Sequence, residues 1–185
     1  MWLEVAKYNM KKNWIKYIIS FFAVLAIRLI PFRAPNVEPI MTAIMPLGKV
    51  YGAVMAFVFG VTSIVLFDSI TSGIGSWTFF SAFSYGIIGL FAYWFFKNRT
   101  GWKNYALYAF VATIAFDAVT GLIPGPLFYN QPFVVALVGQ IPFTLMHLVS
   151  NVAFAILLSP IIERWFAREK VPNKKLAFYL TSKTR

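Results

Sequence analysis

The chain has 185 residues, of which 59% are hydrophobic and 12% are charged, and its formal net charge is +11 at pH 7. Long apolar runs almost without charge are typical of bilayer-spanning helices and exclude an ordinary soluble domain. The chain has no cysteine, which excludes disulfides, thiolate metal sites and a cysteine nucleophile.

Six hydrophobic segments follow one another along the chain. A basic segment, residues 1–13, precedes them, and a basic tail, residues 163–185, follows them. The segments between are residues 14–31, 37–47, 50–68, 76–96, 105–123 and 133–162. We therefore predict an all-α integral membrane protein, whose six-helix membrane domain covers residues 14–162.

The second segment is unusually short. At about 1.5 Å per residue it cannot cross a hydrocarbon core of about 30 Å. We expect a broken or tilted element that packs against its neighbours rather than facing lipid. The alternative, one long helix over residues 40–67, would place Lys97 on the opposite side of the membrane.

Positive charges cluster at three places: before the first segment, between the fourth and fifth, and in the tail. The clusters span residues 7–16, 97–103 and 164–185. The positive-inside rule places all three in the cytoplasm, so both termini are predicted to be cytoplasmic. Cations in these positions orient helices and attract anionic lipid headgroups. We therefore expect contact with membrane lipids and no nucleic-acid partner.

A Phe-Asp phrase occurs twice, as Phe67-Asp68 and as Phe116-Asp117, each near the end of an apolar run. A charge near hydrocarbon costs on the order of 3 kcal/mol unless it is paired or wetted. Both acids are therefore predicted to form matched lips of an outward-facing pocket. Alternatively, Arg28 or Arg33 neutralises them.

A stripe of polar residues runs along one face of the last segment. Gln140, Thr144, His147 and Asn151 fall within an arc of roughly 60° on a helix, and we predict that they line the pocket. Hydrogen bonding between helices is the structural alternative. A lone histidine does not indicate a metal site, and we expect neither a metal nor a cofactor. The remaining predicted substrate-binding residues are Arg33, Asn36, Glu38, Trp77, Thr78 and Tyr85.

Small residues recur at every fourth position of the predicted third helix. They are Gly48, Gly52, Ala56 and Gly60, called the small-residue ridge below. Such a ridge lets helices approach closely, either inside the monomer or against a membrane partner.

The combination of these features resembles a known family. The chain has a basic start, a very short second segment, the phrase Gly48-Lys49-Val50-Tyr51-Gly52 before Gly60 and Asp68, and Gly139-Gln140-Ile141-Pro142-Phe143 before His147 and Asn151. Over residues 14–162 it looks like the substrate-binding S components of energy-coupling factor (ECF) transporters.

This resemblance implies capture of a vitamin or similar micronutrient at the prokaryotic plasma membrane. Delivery would occur by toppling in the membrane while docked on a transmembrane T subunit and two cytoplasmic ATPases. The chain has no G-x-x-x-x-G-K-[ST] phosphate loop, so the energy would come from the partner. Family members often carry docking alanines four apart on the first helix, whereas Ala23 and Ala26 are three apart. The predicted docking residues are these alanines and the small-residue ridge.

The pattern leaves the ligand open between corrinoid, flavin-like and pyrimidine-like nutrients. It also leaves two other functions open, although we expect no enzyme activity. Asp68 and Asp117 could form the relay of a self-sufficient secondary transporter or channel. Ser76 and His147 could be the nucleophile and base of an intramembrane serine hydrolase.

Overall fold

A computed structural model describes residues 2–31 and 37–167, with side chains described from residue 14 onward and only the backbone at residue 167. Throughout these ranges the regular structure is helical. The helices are α1 (Trp2–Arg28), α2 (Ile40–Tyr51), α3 (Ala53–Ile70), α4 (Ser76–Phe96), α5 (Trp102–Leu122), α6 (Pro124–Phe128), α7 (Phe133–Leu157) and α8 (Ser159–Ala167). The predicted binding residues Arg33 and Asn36 lie outside the described residues.

In the part of the chain that the structure describes, four helical spans are long and apolar enough to cross a membrane: α3, α4, α5 with α6, and α7 with α8. In the most apolar window of the last span only 22% of the residues are buried, and large apolar side chains such as Val149 are exposed there. An apolar surface of this kind suits lipid rather than water. The prediction of an all-α chain with helices able to cross a membrane is confirmed, whereas the six crossings and the cytoplasmic termini stay predictions.

Helix α2 is the centre of the bundle. Ten of its twelve residues are buried, and it contacts α1, α3, α4, α5, α7 and α8. At about 1.5 Å per residue it is only about 18 Å long. The expectation that the second segment packs against its neighbours is confirmed, but the helix covers Ile40–Tyr51 rather than residues 37–47.

The chain reverses direction at one residue, Gly52, between α2 and α3. Its backbone angles are φ 93° and ψ 170°, a region that residues with a Cβ rarely adopt. Glu38, just before α2, is bonded to Tyr85 on α4, and Lys49, near the end of α2, is bonded to the carbonyl of Arg99. Because α3 then returns along α4, the alternative of one long helix over residues 40–67 is wrong.

The small-residue ridge is split by this reversal, since Gly48 belongs to α2. Gly48, Ala56 and Gly60 pack against α4. A Cβ on Gly60 would lie 2.7 Å from the carbonyl of Tyr85, and one on Gly48 would lie 3.1 Å from the amide nitrogen of Tyr93.

Packing within the monomer therefore accounts for the ridge. Gly48, Ala56 and Gly60 are buried, so their prediction as a docking surface is wrong, and Gly52 is the reversal residue. Ala23 and Ala26 are exposed on α1, and their docking role stays a prediction.

Contacts at one end of the bundle, called the basic end, join α1, α2, α5 and α8. Lys49 forms an ion pair with Glu163, and the Tyr105 hydroxyl donates to the other Glu163 oxygen at 2.8 Å. Lys16 donates to the carbonyl of Trp165 at 2.9 Å. The predicted cytoplasmic positions thus meet at the same end of the molecule.

Candidate functional site

A cavity of about 510 Å³ opens at the end opposite the basic end. Its size lies within the range of small-molecule sites. Six predicted binding residues line it: Glu38, Asp68, Trp77, Tyr85, Gln140 and His147. Fourteen further lining residues were not in the predicted set, and the seven of them with polar or aromatic side chains are Arg28, Ser81, Phe116, Thr120, Tyr129, Gln131 and Phe143.

Arg28, at the end of α1, is a buried cation in the cavity wall. Its side chain is 5% exposed, and its Nη2 lies 3.2 Å from Glu38 Oε1. The Tyr85 hydroxyl donates to Glu38 Oε2 at 2.8 Å, and the guanidinium carbon lies 3.9 Å from the ring centroid of Phe67. Pairing of Arg28 with Asp68 or Asp117 is therefore wrong, because Glu38 is its carboxylate partner.

This ion pair leaves part of the guanidinium unused. Arg28 Nε and Nη1 are buried without a hydrogen-bond partner among the described residues. Buried donors are usually satisfied, so unused donors in a cavity wall indicate a place for an acceptor.

A second polar pair lies deeper, between α5 and α7. Asp117 Oδ1 is 2.8 Å from His147 Nδ1, and both side chains are 2% exposed. Because an ionised carboxylate only accepts hydrogen bonds, it holds a proton on Nδ1, and in a neutral ring the lone pair is then at Nε2. Within the described part of the chain, neither Nε2 nor Asp117 Oδ2 has a partner. The rings of Phe116 and Phe143 stand edge-on to the imidazole.

The two Phe-Asp phrases occupy different environments. Asp68 is partly exposed near the end of α3 and accepts a 2.7 Å hydrogen bond from Thr78 Oγ1. The same Thr78 oxygen accepts from the amide of Gly75 at 3.1 Å. The hydrogen bond from Thr78 to Asp68 thus links the start of α4 to the end of α3. Thr78 itself is not among the residues that line the cavity. The prediction of matched lips is wrong for Asp117, because α5 continues to Leu122 and buries it.

The polar stripe of α7 divides in two. Gln140 and His147 line the cavity. The Gln140 side-chain amide also donates a hydrogen bond to Thr144 Oγ1 at 3.3 Å. Asn151, one turn beyond His147, donates to Thr113 Oγ1 on α5 at 2.9 Å. Neither Thr144 nor Asn151 is part of the described wall. Their role as binding residues stays a prediction, and the structure shows the alternative, a helix-to-helix hydrogen bond, for Asn151.

Aromatic side chains stand around the mouth. Trp77 and Tyr129 line the cavity and are also exposed to the outside. The Tyr129 and Ser76 hydroxyls are 2.9 Å apart, which joins α4 to the segment after α6. Ser76 thus bonds to Tyr129 and His147 to Asp117, so no described hydrogen bond forms the nucleophile–base pair of a serine hydrolase.

The metal-ligating residue types are scattered in the part of the chain that the structure describes. No group of three or more His, Asp or Glu side chains there is placed to hold a metal ion.

Comparison of the chain with protein-family models, curated proteins and solved structures found no match.

Proposed function

We propose that this chain is the substrate-capture subunit of an ECF-type importer in a prokaryotic plasma membrane. It crosses the membrane with six helical segments, keeps both termini in the cytoplasm and binds a vitamin-like small molecule on the outside. The observation that carries the proposal is the cavity of about 510 Å³, whose lining residues Arg28 and His147 both have buried nitrogen atoms without a hydrogen-bond partner among the described residues.

In this proposal the distribution of positive charge determines which side of the membrane the cavity faces. Lys16, Lys49 and Arg99 gather at the basic end, and positive charge favours the cytoplasmic side. The cavity, at the opposite end, then opens outward. A captured molecule would enter past Trp77 and Tyr129 and rest above the Asp117–His147 pair.

Release of the molecule to the cytoplasm requires a second component in this scheme. The basic end is closed by the Lys49–Glu163 ion pair and the Tyr105 hydrogen bond. We assign the energy for delivery to a T subunit with two ATPases, and the docking surface to the exposed face of α1 around Ala23 and Ala26.

Purification and transport together test the proposal. The tagged chain, purified in mild detergent from its own cells, is expected to retain a polytopic membrane subunit and two nucleotide-binding ATPases in fixed stoichiometry. In proteoliposomes the complex is expected to import the co-purified small molecule with ATP, whereas the chain alone does not. Import by the chain alone, driven by an ion gradient, would overturn the proposal.

One observation favours a second candidate, a self-sufficient secondary transporter. Asp117 is buried and paired with His147, and buried acid–histidine pairs can carry protons in transporters. This candidate predicts that the chain alone takes up substrate under a proton gradient and that Asp117→Asn abolishes this uptake. The importer proposal predicts unchanged dependence on ATP in the same variant.

A further inference from the structure

The cavity wall has two poles with complementary hydrogen-bonding capacity. The first pole is Arg28, whose Nε and Nη1 have no acceptor among the described residues. The second is His147, whose Nδ1 is held by Asp117 while Nε2 is unused. A ligand that satisfies both poles carries an acceptor for the first and, with the imidazole neutral, a donor for the second.

The charges around the first pole favour a neutral acceptor over an anionic one. Of the described lining residues, Arg28 carries positive charge, whereas Glu38 and Asp68 are acids. Glu38 already neutralises the guanidinium at 3.2 Å. A ligand carboxylate would add another negative charge to a poorly solvated wall, whereas a carbonyl oxygen accepts the free N–H groups without that cost.

The tautomer of His147 defines the second pole. The Asp117 carboxylate requires the proton on Nδ1, so the neutral imidazole offers a lone pair at Nε2. An N–H or O–H group of the ligand pairs with that lone pair, and a ligand made only of acceptors does not.

The wall between the poles is aromatic. The rings of Tyr85 and Phe116 lie 4.5 Å apart between centroids, and Phe116 also contacts His147. Trp77 and Phe143 contribute further ring surface to the cavity. Such walls favour a planar body that stacks on rings or meets their edges.

We propose that the ligand is a neutral planar heterocycle of the lactam class, with a ring carbonyl that accepts from Arg28 and a ring N–H that donates to His147. This inference rests on the proposed function, since it names the class of molecule that the capture subunit takes. It divides recognition between two named groups and gives Asn151 no part in it.

Binding to the purified full-length chain in detergent, measured by calorimetry, tests the lactam class. The probes are uracil, hypoxanthine, lumazine and lumichrome, each paired with a derivative methylated at its ring nitrogens. Nicotinate and tryptamine serve as an anionic and a cationic control. At least one lactam is expected to bind, and its methylated partner is expected to bind at least about tenfold more weakly, the scale of one buried hydrogen bond. Equal binding of the methylated partner, or preference for either control, overturns the inference.

Two variants test the poles separately. Arg28→Lys keeps the charge opposite Glu38 but lacks the two free guanidinium nitrogens, and His147→Met removes the acceptor. Each is expected to weaken lactam binding at least about tenfold, because each removes one hydrogen-bonding partner. The matched control is Asn151→Leu, which removes a buried polar group from the same helix and is expected to keep the affinity. Wild-type affinity in both pole variants contradicts the inference. If a variant does not fold, the comparison of each lactam with its methylated partner on the wild-type chain still tests the inference.

Failure of the inference can be told from failure of the proposed function. Native mass spectrometry that finds a bound carboxylate or amine without a lactam overturns the inference and leaves substrate capture standing. If no small molecule co-purifies and no probe binds, capture itself is contradicted, and the inference falls with it.

Discussion

The seam between α3 and α4 supports the cavity, and Gly60→Ala perturbs that seam with a single methyl group. The new Cβ would lie 2.7 Å from both the carbonyl carbon and the carbonyl oxygen of Tyr85. Ordinary contact begins near 3.4 Å, so the helices must separate by about 0.7 Å. Both clashing atoms are backbone, and rotation of a side chain cannot relieve them. Overpacking of this kind typically costs about 1–3 kcal/mol.

The seam also holds Tyr85, whose hydroxyl binds Glu38 beside Arg28. We therefore expect Gly60→Ala to lower the free energy of unfolding by about 1–3 kcal/mol and to weaken ligand binding. Equilibrium unfolding in detergent, followed by tryptophan fluorescence, measures the first effect. The matched control is Gly139→Ala on α7, where a Cβ meets no atom within 4 Å. That variant is expected to match the wild type or gain up to about 1 kcal/mol from helix propensity. If Gly60→Ala is as stable as Gly139→Ala, the described seam is wrong.

Three further predictions concern the other structural devices. Asn151→Leu removes the hydrogen bond to Thr113 and is expected to lower thermal stability by about 0.6–1.7 kcal/mol, as measured by thermal unfolding; weaker ligand binding at unchanged stability would contradict this role. Gly52→Ala places a Cβ at φ 93° and is expected to lower the free energy of unfolding by on the order of 1 kcal/mol or more. An increase in melting temperature would contradict the reversal at Gly52. Lys49→Met leaves Glu163 without its cation and is expected to cost about 3 kcal/mol or more. The double variant Lys49→Met/Glu163→Gln should recover part of that loss in the same unfolding assay, and additive losses would refute the pairing.

The short second helix could be predicted because its length conflicts with the thickness of a bilayer. Twelve residues cannot span the hydrocarbon, so burial among other helices was the physical alternative. The reversal at Gly52 was hidden by the small-residue spacing. Gly48, Gly52, Ala56 and Gly60 recur every four residues across two helices, and spacing alone does not distinguish a continuous helix from two.

The candidate site was predicted in part because charge and polarity place residues at one end of the bundle. Glu38, Asp68 and His147 could be assigned to that end, and they line the cavity. Which side chains face the cavity and which face a neighbouring helix depends on packing. Asn151 turns toward Thr113, and the rotation of α7 that brings this about has no local signal in the sequence.

The ion pair of Arg28 with Glu38 was missed for a related reason. The two residues are ten positions apart in the chain, and the Phe-Asp repeat indicated other acids as partners. Burial at the end of α1 explains why Arg28 belongs to the site, since a buried guanidinium needs a carboxylate nearby. A lone arginine at the end of an apolar run was the available signal.

The central claim is that the cavity opposite the basic end holds a small molecule. Native mass spectrometry of the full chain, purified from membranes of its own cells, tests this most directly. We predict a protein species with one small molecule bound, which is released on denaturation and is depleted in the Arg28→Lys and His147→Met variants but not in Asn151→Leu. The bare protein mass in every preparation, with no adduct after incubation with the lactam probes, would contradict the claim.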